Sequence, residues 1–214
     1  LQFRNFPKFI RVNTIKSNLA DCIEHFKGKK FTFVQDLLDK SINNEAISRN
    51  RFSSDGMIND LLVFDAKATF YDDDFYQAGK IFIQDKPSCF PAFILAPPPD
   101  AHVIDCCAAP GNKTTHLGML MQGKGKIFAF EKDPKRFITL QKMTQLSINS
   151  TKEELLYHCL NEDFLLSNPH EPLYSNVRYI LVDPSCSGSG MVSRLDAVVD
   201  SSTYSSNSER LNQL

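Results

Sequence analysis

A chain of 214 residues with 42% hydrophobic and 23% charged residues has the composition of a folded globular protein, which excludes disordered, fibrous and collagen-like classes. Its formal net charge is −1 and no apolar run approaches the roughly 18 residues of a membrane span, so composition points to neither a strongly charged partner nor a membrane. The length suits one large domain, or a small domain joined to a mid-sized one.

The first 30 residues are the most basic part, with seven cations, Lys8, Arg11 and Lys16 among them, against Asp21 and Glu24, a net of +5. Such a face can meet phosphate, or it can be a solvated surface and nothing more. The opening LQFRNFPKFIRVNTIK has no secretory apolar core, so an intracellular location is expected. Because it starts without Met and runs directly into a basic alternating segment, an internal piece of a longer protein is expected. Residues 9–15 (FIRVNTI) alternate as a strand does, and Leu19, Cys22, Ile23 and Phe26 have helical spacing. Leu61–Phe64 and Lys80–Gln84 read as strands, and Asp72-Asp73-Asp74 as an exposed loop. A helix is expected from Ser88 to Leu95, ended by Pro97-Pro98-Pro99, where a module boundary falls.

From residue 101 short apolar strands alternate with helices: AHVID, a helix from about Thr114 to Met121, KIFAFE, a helix from Pro134 to about Leu146, ELLYHCL and RYILVD. This rhythm predicts a parallel, doubly wound sheet. Asp105, Glu131, Asp163 and Asp183 stand at or just beyond the strand ends, and ligands of open α/β sheets bind outside those ends, so four carboxylates are expected to ring one crevice. After Met191 the chain is polar and serine-rich and is expected to be disordered. The six cysteines form no CxxC pair; they are read as reduced thiols, and no metal site is expected.

The turn DCCAAPGNKT supplies Gly111 alone, too few glycines for a dinucleotide loop, and Asn112 separates Gly111 from Lys113, which breaks a Walker loop. A turn of small residues can instead lie against a ligand without phosphates, with a helix N-terminus facing a carboxylate, while an acid such as Glu131 accepts both ribose hydroxyls of an adenosine. Adenosine joined to an amino-acid carboxylate is S-adenosylmethionine. In the loop DPSCSGSG, Asp183 and Cys186 would be presented beyond the fourth strand, and a thiol there suits methylation of pyrimidine C5, which needs covalent activation at C6. A lone cysteine is otherwise most often a small buried hydrophobe.

DCCAAPGNKTTHL, FAFEKDPKR, NEDF and LVDPSCSGSGM resemble motifs I to IV of the NSUN family of RNA cytosine-5 methyltransferases, and GKIFIQDKPSCFPAFIL resembles its motif X; the likeness covers about residues 7–193. The resemblance implies a Rossmann-like class I S-adenosylmethionine-dependent core at 99–192, C-terminally truncated, preceded by a small α+β RNA-binding subdomain at 1–98 and followed by a polar tail at 193–214. It implies that Cys107, Ala108, Ala109, Pro110, Gly111, Asn112 and Lys113 wrap the methionine part of the cofactor. Glu131 would take the ribose and Asp163 the adenine edge, Arg136 would belong to the cofactor pocket, and Asp183 would lie between methyl group and base. A Lys113–Asp183 pair is expected. Cys186 would assist product release, the attacking cysteine coming from a later Thr-Cys motif that is not found after residue 190. Glu131 stands where relatives often have Asp, a change that keeps both acceptor oxygens. The partner implied is RNA, with large-subunit ribosomal RNA foremost and Lys8, Arg11 and Lys16 as candidate contacts, and the location implied is the nucleolus. Two rivals remain: an inactive cofactor- and RNA-binding assembly module, and a DNA cytosine methyltransferase with Cys186 as nucleophile, which the motif order disfavours.

Overall fold

The computed structural model describes residues 7–35, 50–149 and 156–184. The chain divides into two compact units, Leu1–Val182 and Asp183–Leu214, and every helix and strand among the described residues lies in the first. Its N-terminal half contains β1 (Lys8–Val12), α1 (Leu19–Gly28), β2 (Thr32–Phe33), β3 (Arg51–Ser54), β4 (Leu61–Phe64), α2 (Asp74–Gln77) and β5 (Ile81–Ile83). The sheet order is β2-β3-β4-β1-β5, so β1 is flanked on both sides, antiparallel to β4 and to β5.

Helix α1 starts where the Asn18 side chain accepts the Asp21 N–H at 2.8 Å, satisfying one of the amides a helix start leaves over. Its apolar stripe, Leu19, Cys22, Ile23 and Phe26, packs on the sheet. The Phe26 ring meets Phe52, Phe64 and Phe70 at centroid separations of 5.8, 4.8 and 5.8 Å, all edge-on, the arrangement that aromatic quadrupoles favour. Each such ring taken fully from water stabilises the fold by about 1.5–3 kcal/mol. Asp72 lies exposed in a turn as its charge suggests and Asp74 is exposed at the start of α2, but Asp73 is drawn inwards. Asp73 caps α2, accepting the Phe75 N–H at 2.9 Å, and its carboxylate lies 3.0 Å from His25 Nε2 with its side chain 9% exposed.

The second half runs through α3 (Lys86–Leu95), β6 (His102–Asp105), α4 (Asn112–Leu120), β7 (Lys126–Phe130), α5 (Pro134–Ser147), β8 (Tyr157–Leu160) and β9 (Val177–Leu181). All four strands are parallel, in the order β8-β7-β6-β9. The chain leaves β6 through α4 and α5 towards β7 and β8, then returns on the other side as β9. That reversal at β6 is the switch point at which open sheets bind ligands. Between β8 and β9 the link is two short 3-10 turns, Phe164–Leu166 and Pro172–Tyr174. Register aligns the carboxyl ends: Asp105 pairs with Ala129 and Leu181, and Phe130 with Leu160.

Candidate functional site

The turn from β6 into α4 is folded by its own small residues. The Ala108 N–H donates to Phe130 O at 2.9 Å, tying the turn to the end of β7, and the Gly111 N–H donates to Ala108 O at 2.8 Å. Gly111 has φ 110° and precedes the first residue of α4, a conformation that favours glycine, and a Cβ there would also crowd Met143 at 3.0 Å. Inside the turn, the Thr114 hydroxyl donates to Asp105 Oδ2 at 2.8 Å.

Asp105 is therefore corrected as a member of the crevice ring. It is 0% exposed and braces the turn from beneath. Glu131 is placed differently. Its carboxylate follows β7, with Oε1 accepting the Asp133 N–H at 2.9 Å and Oε2 lying 3.5 Å from Arg136 Nη2. The same Arg136 nitrogen donates to Ala109 O at 2.6 Å, so one guanidinium joins the glycine-poor turn to the strand-end acid. Asp133 sets Arg136 in place by capping α5, accepting the N–H groups of Lys135 and Arg136 at 2.8 Å each. On the next strand, Asn161 Nδ2 donates to Glu131 O at 2.7 Å, and Asp163 caps the first 3-10 turn through the Leu165 N–H at 3.0 Å. Of the predicted turn, Ala109 thus meets Arg136, and through it Glu131, at one end of the sheet. A 370 Å³ cavity lined by Pro98, Ala101, His102 and Arg178 lies at the opposite, amino end of β6 and β9, where open sheets do not carry their ligands.

Residues 6–84 match the ferredoxin-like domain of NOL1/NOP2/Sun domain family member 5, and residues 92–207 match the 16S rRNA methyltransferase RsmB/F family. The chain belongs to the NSUN5 family of rRNA cytosine-C5 methyltransferases. It is 43% identical over 188 residues to a 28S rRNA (cytosine-C(5))-methyltransferase of Mus musculus, covering 88% of this chain and 39% of the relative. To a 25S rRNA (cytosine-C(5))-methyltransferase of Schizosaccharomyces pombe it is 39% identical over 213 residues, covering 98% and 43%. The crystal structure of a methyltransferase homologue from Pyrococcus horikoshii superposes with a TM-score of 0.64 at 25% identity, covering 91% of this chain and 55% of that one. The chain thus spans about 40% of the length of the curated relatives it matches.

Of the remaining family positions, Lys113 Nζ donates to Ser88 Oγ at 3.0 Å. Asp183 belongs to the second unit, and Cys186 lies outside the described residues. Of the basic residues, Arg11 is corrected as an RNA contact: it is 0% exposed, and a side chain wholly inside the protein meets no phosphate. Lys8 Nζ donates to Ala68 O and Lys16 Nζ to Leu146 O at 3.1 Å, both on half-buried side chains. Asn161 and Thr114 escaped the sequence reading. A signal for Thr114 was its place nine residues after a strand-end acid, at the start of the helix that follows.

Proposed function

We propose that this chain is the RNA-docking and cofactor-binding portion of a large-subunit rRNA cytosine-C5 methyltransferase that uses S-adenosylmethionine. The observation that carries the reading is the Glu131–Arg136–Ala109 connection at the switch point of the sheet. It presents an acid able to accept a vicinal diol beside a turn too poor in glycine for pyrophosphate. The residues fit the cofactor: Glu131 would hold the ribose hydroxyls, Asp163 the adenine edge, and Cys107 to Lys113 the amino-acid end, with the start of α4 facing its carboxylate. When bound, the cofactor supplies a methyl group carried on a positively charged sulfur. Asp183 would hydrogen-bond the amino edge of the extruded cytosine, and Cys186 would assist release of the methylated base. Residues 191–214 contain no Thr-Cys pair to supply the attacking thiol, so cytosine methylation is not expected from these 214 residues by themselves. RNA would dock on the N-terminal sheet, with Lys8 and Lys16 among its contacts, and a ribosomal substrate would place the protein in the nucleolus.

Calorimetry with S-adenosylhomocysteine tests the reading. Glu131→Ala removes the hydrogen bonds of a charged acceptor and should weaken binding by about 1.5–3 kcal/mol. Equal affinity for the two proteins would reject the ribose role of Glu131. No binding to either would reject the cofactor.

A further inference from the structure

Arg11 sits on β1, opposite Leu61 of β4 and Phe82 of β5, with its guanidinium carbon 4.9 Å from the centre of the Phe82 ring. It reaches out of its own sheet to the first turns of α4. Nη2 donates to Asn112 O at 3.2 Å and to Thr115 Oγ1 at 2.8 Å, and Nη1 lies 3.6 Å from Met119 Sδ. Nε donates to Gln84 Oε1 at 2.6 Å, and Gln84 Nε2 donates onward to Ser88 O at 2.9 Å. Every one of these acceptors is neutral, and among the described residues Arg11 forms no ion pair.

This is an unusual place for a full positive charge. Burial lowers the Arg11 pKa to about 10, which leaves it a cation at neutral pH. Removing a charge from water without a counter-charge in contact is costly, and a neutral side chain could make the same tie to Thr115 at lower cost. The cost is compounded because the amino end of a helix already carries a positive partial charge. Beside it, His116 is 0% exposed and held neutral, its pKa pushed down to about 2 by burial with Arg11 adding to the effect. Among the described residues the acid that acts on the guanidinium is the half-buried Asp60, which makes no ion pair with it, while the guanidinium itself touches the first residue of the helix that follows Gly111. A buried cation without a contacting counter-charge and a helix start that add at one place favour an anion there. The ligand read into this turn carries one, the carboxylate of its amino-acid end.

We propose that Arg11 is a positioning residue for that carboxylate: from the N-terminal sheet it fixes the first turn of α4 and adds its charge to the field at the turn, so that the site selects an adenosine ligand bearing an amino-acid carboxylate. The inference rests on the cofactor reading above. It extends that reading by coupling the N-terminal sheet to cofactor affinity.

The test uses two ligands that share the adenosine and the sulfur but differ in the carboxylate: S-adenosylhomocysteine and 5′-methylthioadenosine. Calorimetry on wild type, Arg11→Gln and Arg11→Lys reads the ratio of their affinities. Arg11→Gln should weaken S-adenosylhomocysteine by about tenfold, within the range of a charge at a helix start, while 5′-methylthioadenosine changes by less than about twofold. Arg11→Lys, which keeps the charge, should recover most of the ratio. A purely structural tie would weaken both ligands alike, and an unchanged ratio in Arg11→Gln overturns the proposal while leaving the cofactor reading in place. If wild type binds neither ligand, the cofactor reading fails and this inference with it. Should Arg11→Gln not fold, Thr115→Val removes the shortest tie to α4 and keeps the cation. It should lower the ratio by a smaller factor, and an unchanged ratio there is equally fatal.

Discussion

At the end of α5, Asn13 Nδ2 donates to Ser147 O at 2.7 Å and Lys16 Nζ donates to Leu146 O at 3.1 Å. At the start of α4, only two residues before Asn13 in the chain, Arg11 donates to the Asn112 carbonyl and the Thr115 hydroxyl. The two grips come from one short segment and fasten the same pair of sheets, yet their electrostatics are opposed. The last carbonyls of a helix need donors and carry negative partial charge, so an amide and an ammonium at the end of α5 satisfy what the helix lacks. The start of α4 is already positive, and a buried guanidinium there works against local stability. The first junction is explained by folding alone, whereas the second fits the anionic ligand proposed above.

The largest expected effect breaks the α5 junction. Asn13 is 0% exposed, and besides Ser147 O its amide donates to Gly79 O at 2.8 Å while its oxygen accepts the Ile15 N–H at 3.2 Å. Gly79 has φ 68°, and a Cβ on it would lie 2.2 Å from Leu146 O, so the backbone here approaches α5 as closely as glycine allows. Asn13→Ala strands two buried carbonyls and should cost about 2–6 kcal/mol in urea unfolding, at about 1–3 kcal/mol for each buried group left unsatisfied. S-Adenosylhomocysteine affinity of the folded fraction should stay within about twofold. A large loss of affinity at unchanged stability would reverse the assignment of the two junctions.

A second effect separates the junctions by pH. Among the described residues neither ring nitrogen of His116 has a hydrogen-bond partner, and its pKa falls from 6.5 to about 2 through burial, with Arg11 adding. With the folded value depressed, the unfolded chain takes the proton first. The stability is whole above pH 6.5 and drains away as pH falls from there towards 2, by about 1.4 kcal/mol per unit. At pH 5 wild type should therefore lose about 2 kcal/mol through this group relative to neutral pH. His116→Phe should remove that part of the slope between pH 5 and 6.5. An identical slope in the two proteins would mean that His116 does not stay neutral in the fold.

How far these junctions could be read from the sequence depends on range. Strand and helix positions were legible wherever period and punctuation agreed: Leu61–Phe64 is a strand as expected, and α5 starts at Pro134 behind its Asp133 cap. Helix α4 begins at Asn112 and not at Thr114, because the entry is made by Gly111 at positive φ without a side-chain cap. Strands β2 and β3 were missed, being two residues and a polar RFSS. Arg11 was misread for a physical reason. Alternation puts it opposite Ile10 and Val12, and a polar face on a strand normally meets water. Here the polar face meets another layer, and the signal lay about 100 residues away, in residues 114–120, a helix segment whose one ionisable side chain is His116. Asp105 and Glu131 look alike as strand-end acids; the Thr114 hydroxyl marks the first as a brace.

Lys16 carries the smallest expected effect and the sharpest distinction within one residue. Burial lowers its pKa, and the nearby Lys80 lowers it further. Its Nζ holds the carbonyl of Leu146, so Lys16→Met should cost about 0.5–1 kcal/mol, the usual size of a cation at a helix end. An ammonium has three donors, and the half-buried side chain leaves room for a phosphate on the others. If RNA docks along this edge, the log–log salt dependence of single-stranded RNA binding should flatten by about 0.7 in Lys16→Met, one phosphate's share. A loss of stability with an unchanged salt slope would confine Lys16 to the α5 junction and move the RNA path to other lysines of the N-terminal half. The reverse pattern, a flatter slope at full stability, would mean that the carbonyl contact contributes nothing and that the grip on α5 is Asn13 alone.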